Sequence, residues 1–239
     1  MSTFAMHVAK TGLNSQQIKM QVIANNLANV NTTGFKADRA NFESLLYQIL
    51  RGAGDNTSEN TSLTSGLSVG TGTRLLNTSK LHTQGSLINT GNSLDISIEG
   101  DGFFQVLLPD GRVAYTRSGA FSRNAEGTVT TASGYALQPE ITIPAEAISI
   151  NISSDGIVSV QVPGAVDAEE VGQITLADFP NRQGLQPNGE SMLLETPASG
   201  APIVAAPFEE GMGRTVQGSL ESSNVNVVQE LVDMIETQR

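Results

Sequence analysis

Cysteine and tryptophan are absent from the 239-residue chain, and histidine occurs only at His7 and His82. Without cysteine there is no disulfide to form and no Cys/His zinc set to assemble. A Ser-His-Asp triad would have to rest on one of two isolated histidines. Aromatic residues make up 5% of the chain and apolar residues 38%, so large anchors are few and part of the burial is expected to come from neighbouring subunits. Basic residues are scarce as well: 13 Lys and Arg stand against 24 Asp and Glu, a formal charge of −11. That balance excludes nucleic acid, whose phosphates need a basic surface, and an anionic membrane surface for the same reason. No run approaches the roughly 18 to 20 apolar residues that span a bilayer, so membrane insertion is not expected. Near the amino terminus Lys10, Thr11 and a polar SQQ run stand where a signal peptide would keep its apolar core, which predicts a chain without a cleaved signal.

Glycine patterns do not supply a cofactor site. Gly70-Thr71-Gly72 and Gly100-Asp101-Gly102 lack the further glycine or the Lys-Ser/Thr that cradles phosphates, and turn glycines are the better account. Asp101, Asp110 and Asp155 fit no twelve-residue calcium loop and are read as turn carboxylates. Catalytic, cofactor and metal sites are therefore all expected to be absent, and the chain is read as structural.

What the chain does have is two terminal segments of helical character. The stretch Ser15 to Lys36, SQQIKMQVIANNLANVNTTGFK, ends in an asparagine cluster and a Thr-Thr-Gly-Phe turn. Counting in sevens, Met6, Leu13, Met20 and Leu27 form one apolar series, with Ala9, Ile23 and Val30 in the intervening one and Gln16 as its only polar member. This is a coiled-coil-like seam of about three heptads. Asn25, Asn26, Asn29 and Asn31 compete for backbone groups, and Gly12 weakens the first turns, so the helix needs a partner. Gly34 is placed as its stop signal, with Phe35 turning the chain away. At the other end, Asn224 to Arg239 steps Val225, Val228, Val232 and Ile235 by threes and fours, with Leu231 widening the face and Ser222, Ser223 or Asn224 available as N-cap. Residues 1–37 carry Lys10, Lys19 and Lys36 and no carboxylate, whereas 218–239 carry Glu221, Glu230, Asp233 and Glu236 against Arg239 alone. Opposite signs favour side-by-side pairing of the two arms. The assembly interface is accordingly assigned to Leu13, Met20, Ile23, Asn26, Leu27, Asn29, Val30, Gly34 and Phe35 together with Asn224, Val225, Val228, Val232 and Ile235. Burying this seam alone falls short of the entropy of ordering both arms, so the arms are expected to fold on assembly.

These ends resemble a known family. Asn26-Leu27-Ala28-Asn29-Val30-Asn31-Thr32-Thr33-Gly34-Phe35-Lys36 is similar to the amino-terminal signature of the bacterial flagellar rod and hook proteins. Leu220-Glu221-Ser222-Ser223-Asn224-Val225-Asn226, running on through Glu230-Leu231-Val232-Met234-Ile235 to Gln238-Arg239, is similar to their carboxy-terminal signature. Between them, Gly100-Asp101-Gly102-Phe103-Phe104-Gln105-Val106 and Tyr115-Thr116-Arg117-Ser118-Gly119-Ala120-Phe121 resemble the family's shared β domain. The resemblance covers nearly the whole chain and is strongest to the distal-rod branch. It implies a homo-oligomeric helical polymer, with the arms as an inner helical tube and the β domain outside. Its implied partners are other rod and hook subunits, the surrounding basal-body rings and the flagellar export apparatus, and its implied location is the basal body spanning the periplasm. Family members continue the last helix for further turns, so the chain is expected to be a fragment that stops short at Arg239.

The order expected along the chain is an arm over 1–36, a connecting segment over 37–84, a β domain over 85–205 and a return segment with the second arm over 206–239. Ala37 to Leu50 suits either a short amphipathic helix or a strand. Arg51 to Thr73, RGAGDNTSENTSLTSGLSVGTGT, reads by composition as a flexible linker. It also resembles the ordered insertion of distal-rod members, and disorder in the free subunit is expected to give way to order in the assembly. From about Gly85 to Ala205 the pattern is antiparallel β, with hairpins turning at Pro109-Asp110-Gly111-Arg112, Glu126-Gly127 and Asp155-Gly156 and further strands at 95–99, 172–177 and 191–195. Such spacing implies an antiparallel sandwich or an irregular barrel in a mainly β, discontinuous fold with α-helical arms. Two alternatives remain: a proximal-rod subunit, and a secreted adhesive or carbohydrate-binding β protein using Phe103, Phe104, Tyr115, Phe121 and Tyr135 as an aromatic face.

Overall fold

The computed structural model describes residues 2–53, 56–58, 61–62, 64–164 and 168–239. The chain divides into two compact units. One comprises Met1–Leu27, Asp38–Lys80 and Val227–Arg239, the other Ala28–Ala37 and Leu81–Asn226.

The first unit holds both terminal helices, α1 (Ser2–Ala28) and α2 (Val227–Gln238). Among its described residues, the rest is a single long ribbon. β1 (Asp38–Ser44), β2 (Tyr47–Arg51) and β3 (Asn56–Ser58) run out, and β4 (Thr61–Ser62), β5 (Leu67–Gly70) and β6 (Thr73–Lys80) run back. The pairing is nested and antiparallel, β1 on β6, β2 on β5 and β3 on β4. The choice left open for Ala37 to Leu50 thus falls on strand. For Arg51 to Thr73 the linker reading gives way to strands over most of the described residues, with 52–53, 64–66 and 71–72 as connections; 54–55, 59–60 and 63 lie outside the described residues. The physical reason is lateral: each half supplies the hydrogen-bond partners that its own composition does not announce. Asn41 donates to Asn77 Oδ1 at 2.8 Å and Lys80 pairs with Asp38 at 2.9 Å, so polar cross-strand pairs hold the register near the base.

The second unit is antiparallel β. β7 (Leu87–Asn89) and β8 (Ile96–Glu99) come first. The three turn signals then produce the three expected hairpins: β9 (Phe103–Leu107) with β10 (Val113–Thr116), β11 (Phe121–Arg123) with β12 (Val129–Thr131), and, after β13 (Ala136–Gln138), β14 (Ser149–Ile152) with β15 (Ile157–Gln161). The strand expected over 172–177 is two strand ends, β16 (Glu169–Gln173) on β15 and β17 (Leu176–Asp178) on β9. β18 (Gln186–Gly189), β19 (Met192–Leu194) and β20 (Ile203–Ala205) follow. The last two strands reach far back, β21 (Arg214–Gln217) to β8 and β22 (Ser219–Glu221) to β7.

The main sheet runs β11-β12-β13-β9-β10-β19-β18, with β17 also on β9 and β20 on β17. Among the described residues it does not close into a barrel. Alternation along β9 sends Phe104 and Val106 into one apolar cluster with Ile96, Leu137 and Leu176, and Phe103 into another with Tyr115, Phe179, Leu185 and Leu193. Phe103, Phe104, Tyr115 and Phe121 are all buried, so the solvent-facing aromatic surface required by the adhesive alternative does not form. Tyr115 and Phe179 stack edge to face at 4.7 Å, as do Phe104 and Phe121 at 5.2 Å. The β unit commits Phe103, Phe104, Tyr115, Phe121 and Phe179 to its interior, whereas Phe42, Tyr47 and Phe208 are exposed.

Candidate assembly interface

Along α1 the heptad seam divides into two halves with different surroundings. Met6 and Leu13 are exposed, at 70% and 73%, whereas Ile23 and Asn26 are buried and Met20 and Leu27 half-buried. Thr11 and Ser15 tie the middle of the helix to the start of β6, through Thr73 N to Thr11 Oγ1 at 3.4 Å and Ser15 Oγ to Thr73 Oγ1 at 3.0 Å. A groove of about 260 Å³ lies alongside, lined in part by Ile18, Val22, Asp38 and Thr78.

Asn26 does more than sit in a seam. Its amide donates to Asp38 O at 2.9 Å and to Glu230 Oε1 at 3.1 Å, while its Oδ1 accepts from Asp38 N at 2.9 Å. The helix interior disfavours asparagine, but here the side chain satisfies the entry of β1 and meets α2. Burial raises the pKa of Glu230 and Asp233 adds to the rise, against the lowering effect of the Asn26 amide. On α2 itself Val228, Val232 and Ile235 remain exposed, at 71%, 45% and 65%. The two helices therefore meet through a polar contact, and much of the apolar side chain on which the coiled-coil expectation rested stays uncovered within the chain.

The segment between α1 and β1 is held differently. Asn29 to Gly34 form a turn, with Thr32 N donating to Asn29 O at 3.1 Å. Gly34 has φ of +66°, and a Cβ there would collide with the backbone of Arg117 and Ser118. Its N–H donates to Glu221 O at 2.8 Å. Next along the chain, the Lys36 ammonium donates to Glu221 Oε1 at 2.6 Å and Thr83 O at 2.8 Å, with only 5% and 1% of the Lys36 and Glu221 side chains exposed. Arg117 completes the cluster, lying 3.4 Å from Glu221 Oε2, donating to Gly100 O at 2.6 Å, and standing 5.5 Å over the Phe103 ring. Burial pushes the pKa values of Lys36 and Arg117 down, and the nearby carboxylates, Glu221 foremost, oppose this. Asn224 closes the seat: its Oδ1 accepts from Ala37 N at 2.7 Å and its amide donates to Leu81 O at 2.7 Å and Thr83 O at 3.1 Å.

Of the residues assigned to assembly, Leu13, Val228, Val232 and Ile235 are thus exposed. Met20, Leu27, Asn29, Val30, Phe35, Asn224 and Val225 are half-buried, and Ile23, Asn26 and Gly34 are buried. Sequence reasoning missed Arg117 and the buried role of Lys36 and Glu221. The opposite charges at the two ends do meet, but as a buried cluster in the β unit, where Coulomb attraction is least screened. The signal that could have found it is that Lys36, Arg117 and Glu221 each lie in one of the motif stretches singled out above.

Three family descriptions match the same three stretches. Residues 6–36 match the flagella basal body rod protein family, 97–160 the flagellar hook protein FlgE/F/G D1 domain, and 216–239 the flagellar basal body rod FlgEFG protein C-terminal region. The flagellar basal-body rod protein FlgG of Buchnera aphidicola subsp. Schizaphis graminum is 52% identical, over 98% of this chain and 90% of its own length. The chain belongs to the flagellar basal-body rod protein family. FlgG of Agrobacterium fabrum is 44% identical over 98% of the chain and 90% of its own length. The flagellar hook protein FlgE of Treponema pallidum is 42% identical over 54% of the chain and 27% of its own length. The resemblance drawn from the motifs therefore holds over nearly the whole chain, and it is far broader toward FlgG than toward the hook protein. This rod-family chain is a structural component of the flagellar basal body, not an enzyme. Its Lys36–Glu221–Arg117 cluster joins the three matched regions at one point.

Proposed function

We propose that the chain is a distal-rod subunit that polymerises helically, through heterologous contacts that do not close, into a rigid hollow shaft. The observation that carries this reading is the uncovered seam of the helical arms. Met6 and Leu13 on α1 and Val228 and Ile235 on α2 are each at least 65% exposed, an arrangement that costs free energy in a monomer and is relieved when arms pack on arms. In this reading coiled-coil-like pairing occurs along these faces in the assembly, with Leu13, Met20, Leu27, Val228, Val232 and Ile235 as its apolar contacts. Lys10 and Lys19 on one arm and Asp233 and Glu236 on the other set its polarity. The shaft would span the periplasm, transmit torque and conduct exported subunits, itself leaving the cell through the flagellum's export apparatus and meeting rod, hook and ring proteins. A proximal-rod role is the second reading, and the breadth of the match to FlgG favours the distal one.

Electron microscopy of basal bodies from the source organism lacking this gene, beside the rescued strain, tests the proposal. Rods that stop short and carry no hook, restored on rescue, are expected. Normal rods and hooks without the gene would overturn it, and loss of the entire rod would favour the proximal role.

A further inference from the structure

We infer that Glu221 to Asn224 act as a completion lock: the segment Ala28–Ala37, which begins at the last residue of α1, is fixed in its seat only once these residues, far along the chain, are in place. The seat is assembled from residues 81–85, 117–118 and 221–224, all in the β unit, and the last of these supply most of its bonds. Glu221 accepts the Gly34 N–H through its carbonyl and the Lys36 ammonium through its carboxylate. Asn224 accepts the Ala37 N–H and donates to the Leu81 and Thr83 carbonyls that flank the segment. The sequence separations are 185 residues for Lys36 with Glu221 and 187 for Ala37 with Asn224.

Without residues 221–224, the Lys36 ammonium would keep only the Thr83 carbonyl of these two partners, and the Gly34 and Ala37 amides would lose their acceptors. A buried cation without its counter-ion strongly disfavours the closed state, so the segment would stay out in water. The bonds that survive are the local turn, Thr32 N to Asn29 O at 3.1 Å and Phe35 N to Thr32 O at 3.3 Å, and three ties to the seat, Leu81 N to Ala37 O at 2.8 Å, the Thr33 and Ser118 hydroxyls at 3.1 Å and Lys36 to Thr83 O, which leave the Gly34 and Ala37 amides unpaired and the Lys36 charge without its counter-ion. A chain that becomes available in sequence order therefore presents α1 long before the junction behind it can be fixed. The junction closes when β22 has paired with β7 and has brought Glu221 opposite Leu87. Only a chain that extends through Asn224 then has this junction fixed, which guards against incorporation of shorter ones.

The lock is tested by amide hydrogen exchange on dilute full-length chain, a readout that does not depend on polymerisation and so leaves the rod reading to its own experiment. In Glu221→Gln, exchange is read at Ala37, whose acceptor is Asn224; in Asn224→Ala it is read at Gly34, whose acceptor is Glu221 O. Each variant is thus scored at a bond that it does not itself remove. About a tenfold or greater rise at these two amides, with Phe104 and Val106 of β9 unchanged, is expected. Unchanged Gly34 and Ala37 would overturn the lock, as would a rise that appears only together with Phe104 and Val106. Because Asn224 is neutral and half-buried, its variant keeps the test decisive should Glu221→Gln fail to fold.

Discussion

Lys36 and Gly34 show how much one position can carry. The Lys36 charge is tolerated in the interior because Glu221 and the Thr83 carbonyl replace its water, so truncating Glu221 to alanine strands two cations, Lys36 and Arg117. A loss of about 3 to 5 kcal/mol in denaturant unfolding is expected from Glu221→Ala, and a loss below 1 kcal/mol would mean that solvent reaches the cluster. Gly34 and Gly111 both have positive φ, +66° and +82°, but a Cβ at Gly111 meets nothing within 4 Å, whereas one at Gly34 runs into the Arg117–Ser118 backbone. Gly111→Ala is therefore expected to cost about 1 kcal/mol, the conformational term alone, and Gly34→Ala about 3 kcal/mol or more, with steric displacement added. Equal effects would show that the 117–118 backbone yields freely. Gly34 was legible as a turn glycine, but the burial of the Lys36, Arg117 and Glu221 charges was not. A lysine and a glutamate near opposite chain ends read as solvated charges, and burial is decided by neighbours far away in sequence.

Among the elements, α2 is held partly through a titrating group. Glu230 has its pKa raised by burial, so its protonated form is favoured in the folded state. Its contribution to stability is full below its ordinary pKa of 4.5 and is lost as the pH rises through the folded value. Exchange protection of α2 amides is expected to be greater near pH 4 than at pH 7. Glu230→Gln, which keeps an acceptor for Asn26, should abolish the difference; a pH dependence that survives in this variant would place its origin elsewhere. The side chain is partly solvated, so the effect should be a few tenths of a kcal/mol. The exposed α1 seam carries a second expectation, since a helix with seven-tenths of Leu13 in water would, in the proposed polymer, gain its burial from other subunits. Circular dichroism should show less helix per residue in dilute chain than in polymer, and equal signals would sink the idea. Hairpins with Pro-Asp-Gly-Arg, Glu-Gly and Asp-Gly turns were readable because their register is local. The pairing of β21 with β8 and of β22 with β7 was not, because each spans more than a hundred residues and no turn residue announces it.

For the whole molecule, the charge of −11 sets how copies approach one another. All four lysines fall at positions 10, 19, 36 and 80, so the acidic stretch from Leu81 to Asn226 relies on arginine alone for its positive charge. Like charges on approaching copies repel over about 10 Å at 0.1 M salt and over much less at 1 M. Sedimentation of the chain should show self-association strengthening as salt rises, because apolar arm contacts persist while repulsion is screened; weakening with salt would mean that ion pairs between copies dominate. The family and its structural role were determined by the sequence itself, in the two terminal signatures and the β motifs, as were the helical arms and the local hairpins. These depend on residue spacing and turn chemistry, which operate over a few positions. Only the tertiary structure decided that the described strands between Arg51 and Thr73 pair in a ribbon, that Phe103, Phe104, Tyr115 and Phe121 face inward, and that Lys36, Arg117 and Glu221 share one buried site. Each of those outcomes depends on which distant segment excludes water from a given side chain, and that is a property of packing rather than of order along the chain.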